Sequence, residues 1–132
     1  MSTTEAGNIA ARNIAVLVDR YIAIWNETDA GVRRGLIART LADDVRYRDP
    51  LMQGEGHDGV DGMIAAVQQK FPGFVFRLSR APETVEDRLR FSWEAGPEGA
   101  TALVGGTDFA TLAGGRLRMV TGFIDFAPEG LA

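Results

Sequence analysis

Val85-Glu86-Asp87-Arg88-Leu89-Arg90-Phe91-Ser92-Trp93-Glu94 sets Val85, Leu89, Phe91 and Trp93 on one side and Glu86, Arg88, Arg90 and Glu94 on the other. That period of two is the mark of a strand with one dry and one wet face. Upstream, Phe74, Phe76 and Leu78 alternate with Val75, Arg77 and Ser79. Downstream, Gly96-Pro97-Glu98-Gly99 reads as a hairpin loop and Thr101 to Leu112 as the next strand. Ala113-Gly114-Gly115 is a second hairpin turn, and Leu117 to Phe126 closes the sheet. Gly105-Gly106 and Gly122 fall inside strands, where glycine marks a bulge or bend of a curved sheet.

The front half has the other period. From about Asn8 to Asn26, Ile14, Leu17, Val18, Tyr21, Ile22 and Trp25 recur at three-four spacing, one face of a helix. Asp29 is placed to cap a second helix running through Leu41, with Leu36, Ile37 and Leu41 inward. Ala42-Asp43-Asp44 reads as a turn, and a short strand, Val45 to Asp49, stops at Pro50. Met52 to Gly59 is read as loop, and a third helix from about Val60 to Lys70 ends at Pro72-Gly73. Helices first and a meander afterwards indicate an α+β domain with the helices on one face of the sheet.

Composition removes much chemistry in advance. With 132 residues the chain is one domain, residues 1–132, with 1–7 expected to be a flexible tail. It has no Cys, so disulfides, thiolate metal sites and a cysteine nucleophile are excluded. One His cannot supply a multi-histidine metal site, and Lys70 is the single lysine available for a Schiff base. A net charge of −4 without a basic block argues against nucleic acid or an anionic membrane as partner. Met1 to Gly7 lacks the features of a signal peptide and no apolar run reaches the ~20 residues of a membrane span, so a cytoplasmic protein is expected.

Two carboxylates fall where a core should be. Alternation through Val45-Arg46-Tyr47-Arg48-Asp49 puts Asp49 on the face of Val45 and Tyr47, although Asp-Pro is also an ordinary turn opener. Asp108 stands mid-strand on the face of Val104, Ala110 and Leu112, where an unpaired carboxylate would sooner hold a proton than a charge. The plain alternatives for Asp108 are a bulge that turns it to solvent or an ion pair with Arg116 or Arg118. Tyr21 lies on the apolar face of the first helix, where packing alone would explain it. His57 reads as a solvated loop residue. Asp125, read on the face of Leu117, Met119 and Phe123, has Arg116 or Arg118 as its expected partner.

Three segments together resemble a known superfamily. They are Asp19-Arg20-Tyr21-Ile22-Ala23 with Asn26, then Leu41-Ala42-Asp43-Asp44-Val45 leading to Arg48-Asp49-Pro50, then Thr107-Asp108-Phe109 with Gly115-Arg116-Leu117. They are similar to the ketosteroid-isomerase and SnoaL-like polyketide-cyclase branches of the nuclear-transport-factor-2-like superfamily, from about Val16 to Phe126. The resemblance implies a cone-shaped α+β barrel, three helices on a strongly curved antiparallel sheet around a deep pocket. It implies catalytic roles for Tyr21 as donor to the substrate oxygen, Asp49 as base and Asp108 as protonated acid; in the cyclases the acid matching Asp108 is the general acid/base instead. Which of Asp49 and Asp108 is the base stays open.

The expected activity is cofactor-free and metal-free proton transfer on a small hydrophobic carbonyl compound, an isomerisation or cyclisation. Trp25, Phe74, Phe76 and Trp93 are the expected pocket lining, and a homodimer through the outer sheet face is implied by the resemblance. The rival is a non-catalytic small-molecule-binding or dimerisation domain whose acids are paired with arginines. A weaker third reading is epoxide hydrolysis through Asp108, Arg118 and Asp125.

Overall fold

The change of period near residue 72 is the seam of the architecture. A computed structural model describes residues 3–130. In chain order the elements are α1 (Thr3–Asn26), α2 (Ala30–Thr40), β1 (Leu41–Arg48), β2 (Gln53–Glu55), α3 (Gly56–Lys70), β3 (Phe74–Val85), β4 (Arg88–Pro97), β5 (Val104–Ala113) and β6 (Arg116–Phe126). The strands form one curved, unclosed sheet in the order β2-β1-β6-β5-β4-β3. All neighbours are antiparallel except β1 and β6, a parallel pair that joins the front of the chain to its end. The sheet is therefore mostly antiparallel and open rather than a closed barrel.

The apolar face of α1 and the cap of α2 hold, although α2 ends at Thr40 and Leu41, expected inside it, opens β1. Leu17, Val18, Tyr21, Ile22 and Trp25 are all buried on α1, and Asp29 caps α2 by accepting from Val32 N at 2.9 Å. α1 already begins at Thr3, inside the stretch expected to be a tail, while residues 1 and 2 lie outside the described part. Fully buried Val18, Ile24, Ile37, Ile64, Phe91, Leu117 and Val120 make the centre of the core between the helices and the sheet.

Several local expectations are corrected. The alternating stretch that sets the fold begins one turn too early: Val85 ends β3 and is exposed, and Glu86-Asp87 make the hairpin turn. Glu86 takes φ 55°, a left-handed conformation that reverses the chain before Arg88 pairs back onto Val85. Ala42-Asp43-Asp44 is not a turn but part of β1, where a register shift lets Asp43 and Asp44 face out to meet Arg116 and Arg118. The presumed loop at Met52 to Gly59 contains β2 and the first turn of α3. His57 sits in that turn, partly buried, with Nε2 2.8 Å from the Leu41 carbonyl, so it ties α3 to β1. Along β6 the alternation breaks between Leu117 and Val120, which are both buried; Met119, Phe123 and Asp125 face outward.

One ion pair is buried inside the helical layer. Arg33 Nε donates to Asp61 Oδ1 at 2.6 Å, and its Nη1 reaches the Glu27 carbonyl at 2.9 Å and Gln68 Oε1 at 3.0 Å. Arg34 also contacts Asp61, from an exposed position, at 3.4 Å. Removing one partner of a buried pair strands the other charge and typically costs ~3–5 kcal/mol. Among the described residues no helix is long and apolar enough to cross a membrane.

Asp61→Ala should therefore lower the unfolding free energy by about 3–5 kcal/mol, and Arg34→Ala by less than ~1 kcal/mol. Urea denaturation of the two variants, with matched m-values, measures both.

Candidate active site

The sheet curves over α1, and the concave side holds a cavity. Tyr21, Asp49 and Asp108 all line it, as do the four expected aromatic residues Trp25, Phe74, Phe76 and Trp93. Three elements far apart in sequence supply the polar groups: the middle of α1, the end of β1 and the middle of β5. The walls are apolar, with rings packed edge-on or tilted. Trp25 lies 5.5 Å from Tyr47 and 5.4 Å from Phe76, and Phe76 lies 5.7 Å from Trp93.

Asp49 both ends its strand and faces the cavity. Its Oδ1 accepts from the backbone N–H groups of Leu51 and Met52, at 2.7 and 2.9 Å, which shapes the Asp-Pro turn. Its Oδ2 accepts from the Tyr47 hydroxyl at 2.6 Å. Two carboxylate oxygens offer about four acceptor sites. Three are taken here, and the one left over belongs to Oδ2. All three donors suit the ionised form.

Asp108 has the opposite setting. It is 2% exposed, between Phe91 on β4 and Gly122 on β6. Its Oδ1 accepts from the Trp93 indole N–H at 3.0 Å. Arg116 and Arg118, its expected ion-pair partners, bind Asp43 and Asp44 on the outside instead. Burial pushes the Asp108 carboxyl up to about 7; the Trp93 N–H works against that shift and the nearby Asp49 charge adds to it. Asp108 is therefore an acid that still carries its proton near neutral pH, with one oxygen fixed by Trp93 and the other free to hold the proton.

Gly122 makes room for this pair of acids. A Cβ at that position would lie 2.9 Å from Asp108 Oδ1 and 3.2 Å from Tyr47 Oη, and 3.3 Å from the Asp49 Cβ. Gly106 likewise gives way to the Trp93 ring. The in-strand glycines thus serve close approach around the site as well as bending.

Tyr21 completes the set. It is 2% exposed, and its ring packs edge-on against Phe91 and Trp25 at 5.5 and 6.4 Å between centroids. Its hydroxyl is close enough to favour the Asp108 carboxylate, yet closes no hydrogen bond of its own. Burial, then repulsion by Asp108, pushes its ionisation well above the ordinary tyrosine range. Tyr47 is raised too, chiefly by burial. Both phenols are neutral donors. A buried donor with no partner is expensive unless a ligand oxygen meets it.

Three sequence readings are changed by this geometry. Asp125 is exposed and accepts from Thr107 Oγ1 at 2.8 Å, with no arginine beside it. Arg118 is on the outer surface with Asp44, so Asp108, Arg118 and Asp125 form no relay around a water. Tyr47, Gly122, Leu51 and Met52 were missed as site residues, although the alternation that pointed to Asp49 passes through Tyr47.

The proton on Asp108 has a consequence for stability. The folded state holds it more tightly than the unfolded chain, whose carboxyl titrates near 3.8. Stability should then be flat below about pH 4, decline as the pH rises to about 7, and level off above. The full decline is on the order of 4 kcal/mol for a shift of roughly three pH units. Asp108→Asn should flatten that part of the profile in urea unfolding run from pH 4 to 8. In Trp93→Phe the opposing N–H is gone, so the Asp108 carboxyl followed by carbon-13 NMR should titrate above about 7.

The sequence profile of the SnoaL-like domain matches residues 18–120. No curated protein matches the chain. Among solved structures it is similar to a presumed isomerase of the SnoaL-like family from Agrobacterium tumefaciens, with 41% identity over 86% of this chain and 98% of that one, at a TM-score of 0.82. A presumed ketosteroid isomerase from Kribbella flavida has 21% identity over 92% of this chain and 84% of that one, TM-score 0.65. A presumed polyketide cyclase from Sinorhizobium meliloti has 14% identity over 85% of this chain and 97% of that one, also at 0.65. The last two share the fold. The profile match over most of the chain, with the 41% identical structure, establishes that this protein belongs to the SnoaL-like family of the nuclear-transport-factor-2-like superfamily.

Proposed function

We propose that the protein is a cofactor-free proton-transfer enzyme acting on a hydrophobic carbonyl compound. The observation that carries this is one apolar cavity lined by a carboxylate that accepts three hydrogen bonds, a buried carboxyl met by a single ring N–H, and an unpartnered phenol. Their environments differ enough to divide the labour. Asp49, surrounded by donors that favour its charge, is the base; Asp108, buried beside a ring N–H, is the acid.

The reaction follows from those roles. Asp49 Oδ2 takes a proton from the carbon next to the carbonyl. The C–H electron pair moves toward the carbonyl, and negative charge gathers on its oxygen. Tyr21 Oη–H and the Asp108 acid donate hydrogen bonds to that oxygen, strengthening as the charge develops in a dry pocket. Return of the proton from Asp49 to another carbon gives an isomer. Attack of the enolate on a second carbonyl of the same molecule closes a ring, and the alkoxide left on that carbonyl's oxygen takes the proton back from Asp49. Neither outcome requires net oxidation or reduction.

Against the rival, a binding domain with its acids paired to arginine, stands the pairing of Arg116 and Arg118 with Asp43 and Asp44 instead of Asp108. The homodimer is a separate proposal, supported by the outer face of β5 and β6. Phe109, Met119 and Phe123 are exposed there, with Phe109 and Phe123 in edge contact at 5.7 Å, and a second copy would cover them. Phe123→Glu should convert a dimer to a monomer in sedimentation velocity; equal mass before and after would end that proposal.

Proton transfer can be tested without the natural substrate. With 2-cyclohexen-1-one in D2O, the protein should accelerate exchange of the proton next to the carbonyl, followed by proton NMR. Asp49→Asn should lower the rate to background, and Tyr21→Phe should lower it by ~10²–10³ as expected for a lost oxyanion donor. The rate of the wild type should fall above about pH 7, where Asp108 loses its proton and would place a second negative charge beside the enolate. Undiminished exchange in all the variants would dismiss the assignment.

A further inference from the structure

Two hollows share part of their lining. The inner one is the cavity with the acids, and its volume is about 70 Å3. That is room for a few waters at most. A dry apolar cavity of ~150 Å3, about twice this one, takes a single benzene ring, and drug-sized ligands occupy ~300–1,000 Å3, so one ring is the most the inner cavity admits. The outer hollow measures about 250 Å3. Trp25, Val67, Phe71, Phe74 and Phe76 line both, so these side chains are the partition between them.

Phe76 is the best-anchored part of that partition. Asn26, the last residue of α1, grips the Phe76 backbone twice: its Nδ2 donates to the Phe76 carbonyl and its Oδ1 accepts from the Phe76 N–H, each at 2.8 Å. The Phe76 ring then stands between Trp25 and Trp93, at 5.4 and 5.7 Å. Asn26 belongs to the segment whose pattern marked the family, but it does not line the inner cavity. Its work is to hold the partition.

The charge of the occupant follows from the lining. Among the described residues no Arg, Lys or His faces the inner cavity, and the Asp49 carboxylate is already there. An anion would meet repulsion with no counter-charge. The unsatisfied group is the Tyr21 O–H, which requires an acceptor, and a protonated amine has none.

We infer that the inner cavity takes a neutral, single-ring carbonyl compound, and that Phe76, strapped to the end of α1 by Asn26, limits the occupant to one ring. This rests on the proton-transfer reading of the site and adds the size and charge of its substrate.

Phenol is a suitable probe, a single flat ring whose oxygen can meet Tyr21 and Asp108. The chain has two tryptophans, and both Trp25 and Trp93 line the cavity, so their indole N–H signals in a nitrogen-15 spectrum report occupancy. Phenol should shift the Trp93 signal saturably. 2-Naphthol, although more hydrophobic, should bind the wild type at least tenfold more weakly, and a four-ring phenolic steroid should not bind. Phe76→Ala, which opens the partition, should bring 2-naphthol to the affinity of phenol or better; Phe76→Leu should fall between and guards against a folding defect in the alanine variant. Two-ring or four-ring probes binding the wild type as tightly as phenol would overturn the single-ring inference. An unchanged ratio in both Phe76 variants would overturn the role of Phe76. Either result leaves cyclohexenone exchange intact, whereas loss of that exchange would count against the chemistry itself.

Discussion

A carboxylic acid buried in the middle of a strand is the constraint around which this molecule is arranged. In water Asp108 would be an anion. Between Phe91 and Gly122, under the Trp93 ring, the charged form loses its solvation and the proton stays on to near neutral pH. The neighbours that make this tolerable also make it useful. Trp93 occupies one oxygen, and Gly122 leaves the space through which Asp108, Tyr47 and Asp49 approach each other.

The same sheet treats two aspartates in contrasting ways because of where their donors come from. Asp49 sits at a strand end, where the backbone turns and two N–H groups are free to point at it, with a tyrosine two residues back on the same face. Asp108 sits mid-strand, where the backbone N–H groups are engaged in the ladder and the hydrogen bond it does accept comes from a ring N–H. Position along a strand thus sets how many donors each carboxyl meets. Rigid elements hold the pieces: the Arg33–Asp61 pair locks α2 to α3, and Asn26 fastens α1 to β3 beside the cavity wall.

Much of this was legible in the residue pattern, and the failures have definite causes. The face of α1, the cap at Asp29 and the inward slots of Asp49 and Asp108 all follow from periodicity, which is a local property. The resemblance to the SnoaL-like family rested on the same segments. Misreadings occurred where the chain breaks its own period. A two-residue turn with Glu86 at positive φ interrupts an alternation that looks continuous, and a break along β6 turned Asp125 to the surface. The second strand neighbour of β1 is parallel and comes from the far end of the chain, a pairing that no local pattern announces.

By itself the sequence determined an α+β domain, an apolar slot for two carboxylates and a tyrosine, and the absence of thiol or multi-histidine chemistry, because side-chain type and spacing are enough for those. Only the tertiary structure decided that Asp108 holds its proton to near neutral pH, since that depends on burial by several elements at once, set against a ring N–H fifteen residues away on a neighbouring strand. Partner choice for the arginines was decided the same way: the parallel pairing of β1 with β6 put Asp43 and Asp44 within reach of Arg116 and Arg118, and left Asp108 with none.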